Sequence, residues 1–317
     1  MKNIIFDTDL GGDCDDVLAL DLILSAEREG ECRLLAVTYS DHDVSGPACI
    51  YAILKQHARA DVPVGRYTLP EGKTPDRKAC YGKAVVEKFP DPDAPDYDTC
   101  PDAVAVLRRT LAENEHVTII ATGFLSNLAA LFKSGADEYS PLDGEALVRE
   151  RVDEIAVMAC NFSHQTGANP WECQQNPDGT IRPIPEWNIK CDVPAAVYAA
   201  AHTPVPMVFC PFEVGVKMYT GKPMTDHGKG EVPDSYAFIA HGSANGRDSW
   251  DPATALYGLY GAKPWFWCSA PGKVEFDAEG VSHFSTLGGG NCRILECALP
   301  QKEIAADIDR LVMRLFA

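Results

Sequence analysis

The chain has 317 residues, 46% of them hydrophobic and 23% charged, which is enough apolar material for a full core and excludes disorder and fibre. Lys and Arg number 28 against 46 Asp and Glu, a formal net charge of −18. A chain this acidic is unsuited to a nucleic-acid backbone or an anionic membrane surface; it fits a cation ligand, and equally plain solubility.

Short apolar runs alternate with segments of helical spacing. Residues 3–7 (NIIFD) read as a strand, and 16–24, with Val17, Leu18, Leu20 and Leu24 apolar, as a helix. A strand over 33–38 and a helix over 47–57 follow. Asp102 is placed to cap a helix over 103–112. HVTIIAT (116–122) is the clearest strand, followed by a helix over 125–132, a strand over 154–159, a helix over 193–201 and a strand over 204–209. An amphipathic helix over 304–315 closes the chain. This alternation predicts an α/β fold: an open, mostly parallel sheet with helices on both faces. Two stretches, 66–101 and 161–185, interrupt the pattern as long insertions. Because βα units continue on both sides of each, one domain over 1–317 is expected.

No run approaches the roughly 18 apolar residues of a membrane span, and the N-terminal run ends at Asp7, too early for a signal peptide. The twelve cysteines form no CxxC pair. Zinc-ribbon and thioredoxin-type sites therefore lack their spacing, and reduced thiols in a cytoplasmic protein are expected.

The informative segment is FDTDLGGDCDD (6–16), which crowds Asp7, Asp9, Asp13, Asp15 and Asp16 between a strand and a helix. Carboxylates this close repel unless a cation neutralises them, and hard oxygen donors suit Ca²⁺ or Mg²⁺. A solvated acidic turn needs one capping carboxylate, not five. An EF-hand needs a bidentate Glu at its twelfth place, where this chain has Leu18. A dehalogenase-type phosphatase shares strand–DxD but usually has Thr or Val where Gly11 stands.

DTDLGGDCDD resembles the N-terminal signature of the inosine-uridine nucleoside hydrolase family. Three further segments resemble that family in its own order: HVTIIATGFLSNLA (116–129), EWNIKCDVPAA (186–196) and SWDPATALY (249–257). The resemblance covers residues 3 to about 260 and implies a nucleoside hydrolase-like fold. It implies one Ca²⁺ held by the carboxylates of Asp9, Asp16 and Asp251 and the backbone carbonyl of Thr122, with Asp7 holding the water network. It implies that Asp9 is the base for a water attacking the anomeric carbon, and that Asp15, Glu186 and Asn188 contact the sugar. It also implies a nucleoside or ribosyl substrate and a homo-oligomer. Asn127 reads as a structural residue at a helix start, and Asp251 before Pro252 as a helix cap compatible with ligation.

Three departures bear on the substrate. The segment GGDCDD is two residues longer than the family's usual spacing, which offers Asp13 as a replacement or added ligand. The loop YSDHD (39–43) lacks the family's Asn and offers Asp41, His42 or Asp43 to the sugar. Trp250 stands where purine-acting members have a His acid; an indole has no titratable proton, but it can stack on a flat base. His42, His164, Tyr236, His241 and Arg247 are the candidate replacement donors, and Trp171 and His164 the candidates to reshape the pocket from the second insertion. The expected function is Ca²⁺-dependent hydrolysis of a ribosyl N-glycosidic bond. The alternative is a family member that binds the sugar or nucleoside with little hydrolysis.

Overall fold

The computed structural model describes residues 1–70, 80–167 and 175–317. Its strands are β1 (Lys2–Thr8), β2 (Cys32–Tyr39), β3 (Val64–Arg66), β4 (Val117–Ala121), β5 (Val152–Met158), β6 (Met207–Cys210), β7 (Tyr219–Thr220), β8 (Arg247–Asp248), β9 (Phe266–Cys268), β10 (Lys273–Phe276), β11 (Ser282–Ser285) and β12 (Cys292–Cys297). Eight of them form one sheet in the order β3-β2-β1-β4-β5-β6-β12-β9, parallel except for the edge strand β9. β10 pairs with β11, and β7 with β8, in two small antiparallel ribbons.

Successive side chains of a strand point to opposite faces, so continuous apolar strands serve two cores at once. Ile4 and Phe6 of β1 enter one core, and Ile5 enters the other. Val208 and Cys210 of β6 likewise oppose Met207 and Phe209. Helices Asp15–Arg28, Gly46–Gln56, Trp250–Tyr260 and Gln301–Val312 contribute to the first core. Ala103–Glu113, Ser126–Lys133, Gly144–Arg151 and Val193–His202 contribute to the second.

The expected elements are present within a few residues of their predicted ends. Asp102 caps helix Ala103–Glu113, accepting from Ala105 N at 3.0 Å. The insertions carry structure of their own: β3 ends at Arg66 and is followed by helix Tyr81–Lys88, and helix Ser163–Thr166 lies in the second. The strands after residue 260 had no alternating or long apolar pattern to announce them. Asp251 is not a cap; Ser249 holds the N-cap position, and Asp251 is the second residue of its helix. All described cysteines are free thiols. Among the described residues, no helix is long and apolar enough to cross a membrane.

The chain runs from β1 outward to β2 and β3, then returns to place β4 on the other side of β1. Such a reversal opens a crevice beyond the carboxyl ends of the strands. Asp7 pairs there with Thr38 of β2 and Ala121 of β4. Helix Trp250–Tyr260 reaches the crevice by lying close on the sheet. A Cβ on Gly258 would stand 2.7 Å from Ile120 Cδ1, so only glycine permits this approach. Gly258→Val should therefore lower unfolding stability by roughly 2–3 kcal/mol through overpacking, read as a lower urea midpoint at unchanged m-value.

Candidate active site

A cavity of about 660 Å³ opens at the crevice and receives residues from distant segments. Asp9, Asp13, Asp15 and Asp16 come from the loop after β1 and the helix it enters, and Asp41, His42 and Asp43 from the loop after β2. Thr122 and Phe124 follow β4; Glu186 and Asn188 lie at helix Trp187–Cys191; Trp250 and Asp251 open helix Trp250–Tyr260. Of the residues expected to hold the metal or contact the sugar, only Asp7 lies behind this wall. Trp171 lies outside the described residues.

Asp15, Asp16 and Asp251 each bring an oxygen within 4.8 Å of the others. Two helix N-termini meet here, and their positive dipole ends favour carboxylates. Asp15 Oδ2 accepts from the backbone amides of Trp250 and Asp251, each at 3.0 Å, so the first helix caps the second. Asp16 Oδ1 accepts from the Thr8 hydroxyl and, at 3.0 Å, from the Thr122 hydroxyl. Burial raises the carboxyls of Asp9, Asp15 and Asp251 well above the usual range, and neighbouring aspartates raise them further. Burial also lifts Asp16 to about 6, against hydrogen bonds from Thr8, Asp251 and Thr122. The Asp16 and Asp251 carboxyls lie close enough that, in the metal-free protein, full ionisation of both is disfavoured. A buried all-oxygen donor set that must otherwise hold protons fits a hard divalent cation.

Asp7 supports this group from below. Its Oδ1 accepts from Thr38 Oγ1 and from Asn127 Nδ2 at 2.7 Å, while its Oδ2 is buried without a partner. Asn127 is thus tied to the acidic strand end, a role its place at a helix start did not suggest. Asn188 Nδ2 donates to the Thr122 carbonyl at 2.7 Å and the Met158 carbonyl at 3.1 Å. Carbonyls only accept, so the amide nitrogen must face them and the amide oxygen turns away. Asn188 therefore orients the carbonyl that the sequence named as a ligand. Glu186 caps its own short helix, accepting from Asn188 N at 3.0 Å and Ile189 N at 3.3 Å. Gly123 lets these pieces meet, because a Cβ there would stand 2.6 Å from Asp9 N.

Asp13 points elsewhere. It forms a two-pronged pair with Arg247, whose Nε and Nη2 lie 2.9 and 2.6 Å from its oxygens. The Arg247 guanidinium also stands 5.0 Å from the Trp250 ring. Trp250 Nε1 donates to the Phe212 carbonyl at 3.0 Å, and the indole stacks on Phe212 at 5.4 Å. Of the five candidate donors, His42 and Arg247 line the cavity. His164 packs against His283, Tyr236 against Phe89, and His241 bonds to Ser243.

An open parallel sheet that gathers buried carboxylates in the crevice at its switch point defines an α/β protein able to hold a cation beside a polar ligand. The chain belongs to the inosine-uridine preferring nucleoside hydrolase family, whose profile matches residues 4–260. It is an N-glycosidase of the nucleoside hydrolase kind. Its fold is similar to that of a plant nucleoside hydrolase, with TM-score 0.70, 19% identity and coverage of 100% of this chain and 99% of that one. An inosine-uridine preferring nucleoside hydrolase from Bacillus anthracis is similar at TM-score 0.70 and 16% identity, over 99% and 100%. The type III effector protein XopQ, solved with adenosine diphosphate ribose, is similar at TM-score 0.67 and 16% identity, over 99% and 94%. No curated relative matches by sequence.

The buried carboxyls set a pH dependence for the metal-free protein. Burial pushes Asp7 and Glu186 up to about 7 in the folded state, above their unfolded values. The folded protein then holds protons that the unfolded chain releases. The stability they confer is complete at low pH and is lost as pH rises through about 7. In chelator, the melting temperature should fall between about pH 4 and about pH 7 and level off above that, and an added divalent cation should restore most of the loss at the upper end. A flat metal-free profile would show that these groups stay ionised in the fold.

Proposed function

We propose that the protein hydrolyses the N-glycosidic bond of a ribonucleoside or related ribosyl compound, with Ca²⁺ held by Asp9, Asp16, Asp251 and the Thr122 carbonyl. The observation that carries this reading is the convergence of Asp9, Asp15, Asp16 and Asp251 on one cavity from both ends of the family-matched segment. When bound, the cation supplies positive charge that acidifies a nearby water and fixes the vicinal hydroxyls of the sugar. Asp9 takes the proton of the attacking water. The C1′–N bond breaks as the water oxygen bonds to C1′, and the bonding pair leaves with the base. Asp15, with one oxygen spent on the helix amides, keeps the other for the sugar. Asn188 holds the Thr122 carbonyl from the cavity wall, and Glu186 lines the wall beside it.

Asp9→Asn should lower turnover by orders of magnitude even where metal binding survives, because an amide cannot accept the proton. Near-normal turnover with bound metal would remove Asp9 as base; calorimetric metal titration beside steady-state rates decides between the two.

The leaving base also needs a proton. Trp250 cannot give one, and its N–H is committed to Phe212. Arg247 stays charged and is held by Asp13. His42 is the titratable donor of the five at the cavity, and its Nδ1 has no partner. Nitrophenyl riboside needs no acid, so it should be cleaved far better than inosine. His42→Ala should slow inosine at least about tenfold, the equivalent of about 1.4 kcal/mol of transition-state stabilisation, while sparing nitrophenyl riboside. An equal loss on both substrates would assign His42 to binding alone. The absent acid at Trp250 also favours a second reading, a ligand-binding member with little hydrolysis, for which no nucleoside in a panel would release free sugar.

A further inference from the structure

A second group of metal-type side chains lies on the helical layer away from the cavity wall. Asp21 sits on helix Asp15–Arg28, five residues and about 7.5 Å beyond Asp16. His57 ends helix Gly46–Gln56, and Asp234 lies in the first turn of helix Pro233–His241. None of the three lines the cavity. His57 Nε2 is 2.8 Å from Asp234 Oδ2 and 3.7 Å from Asp21 Oδ1. One ligand atom from each residue falls within 4.8 Å of the other two.

The bonding of this group is incomplete. Asp21 and Asp234 are both 0% exposed. Neither oxygen of Asp21 has a hydrogen-bond partner, and Asp234 Oδ1 has none. Gln56 Nε2 donates to Asp234 Oδ2 at 2.7 Å, which fixes that carboxylate but leaves Asp21 unserved. Buried acceptors without donors are rare in folded proteins because each has lost its water and gained nothing. Burial, with the charge of Asp234 behind it, pushes the Asp21 carboxyl well above its usual range.

A divalent cation resolves both defects. Two carboxylates and a neutral imidazole sum to −2, which one such ion cancels. A first-row ion with bonds of about 2.0–2.2 Å needs donor atoms about 3.3 Å apart, a small inward turn from the present spacing. One nitrogen and two carboxylates suit Zn²⁺ better than Ca²⁺, which prefers six or more oxygens. Gln56 supplies the outer hydrogen bond that such ligands usually carry. A surface cleft of about 540 Å³, lined by Gln56, His57, Leu24 and Arg59 among others, reaches the His57 end of this group. The competing cluster of Asp13, Cys14 and His241 is less suited. Asp13 is spent on Arg247, and burial pushes the Cys14 thiol upward, against the thiolate a metal needs.

We propose that Asp21, His57 and Asp234 form a structural site for a first-row divalent cation of the Zn²⁺ kind, pinning three helices together. The first of these helices presents Asp15 and Asp16 to the cavity, and the third precedes the segment that carries Arg247 and Trp250. The site thus fastens the acidic loop to the cavity rim from behind.

The test uses the full chain, stripped with chelator, incubated with Zn²⁺ in excess Ca²⁺, desalted and assayed for zinc by mass spectrometry. Wild type, Asp16→Asn and Cys14→Ser should each retain about one zinc per chain, and Asp21→Asn and His57→Gln should lose most of it. X-ray absorption on the zinc-loaded wild type should show imidazole and oxygen scatterers without sulfur, a readout that stands even if a variant fails to fold. The proposal is overturned if wild type retains no zinc or if sulfur appears in the shell. It is equally overturned if zinc is lost in Asp16→Asn and kept in Asp21→Asn, which would place the ion in the acidic cavity.

Discussion

The cavity depends on a set of carboxylates forced together out of water. Asp15, Asp16 and Asp251 would repel one another strongly if all were charged, and burial makes that repulsion worse. What holds them is backbone. Two helices begin at the same point, and their free amides and dipole ends favour negative charge. Asp15 makes the link explicit by capping the helix that carries Asp251. The arrangement tolerates a proton or a cation between its members and resists being empty of both.

The sheet supplies the location. β1 lies between β2 and β4, where the order of strands reverses, so the chain ends of three strands diverge around one crevice. Thr38 and Asn127 anchor Asp7, Thr8 and Thr122 anchor Asp16, and Asn188 anchors the Thr122 carbonyl. Asp7 and Asp16 are thereby held by neutral side-chain donors from other segments. Such donors orient a carboxylate without competing for a cation, as a lysine or arginine would. The nearby arginine, Arg247, is drawn off by Asp13. Asp13 thus belongs with a charge pair at the rim.

The rim of the cavity is an aromatic and cationic layer. Arg247 lies over the face of Trp250, Trp250 lies on Phe212, and the indole N–H is bonded to the Phe212 carbonyl. The layer is nearly flat, with the two rings 23° apart, and neither Trp250 nor Phe212 offers an acid. It suits recognition of a planar group more than proton delivery, while the loop after β2 brings Asp41, His42 and Asp43 to the same cavity.

By itself the sequence determined the alternation of strands and helices and the two-faced sheet, and its ordered motifs resembled a family whose pattern groups Asp9, Asp16, Thr122, Glu186, Asn188 and Asp251, which line one cavity. These are encoded locally, in apolar periodicity and short motifs at strand ends. Only the tertiary structure decided what each polar group is bonded to. Asn127 on Asp7, Asn188 on Thr122, Asp13 on Arg247 and Asp15 on the amides of Trp250 and Asp251 join residues 66 to 236 positions apart. The gathering of Asp21, His57 and Asp234 on three helices is of the same kind. Hydrogen bonds and ion pairs are short-ranged and directional, so residue type announces that a partner is needed, and only the packing of helices on the sheet fixes which partner it is.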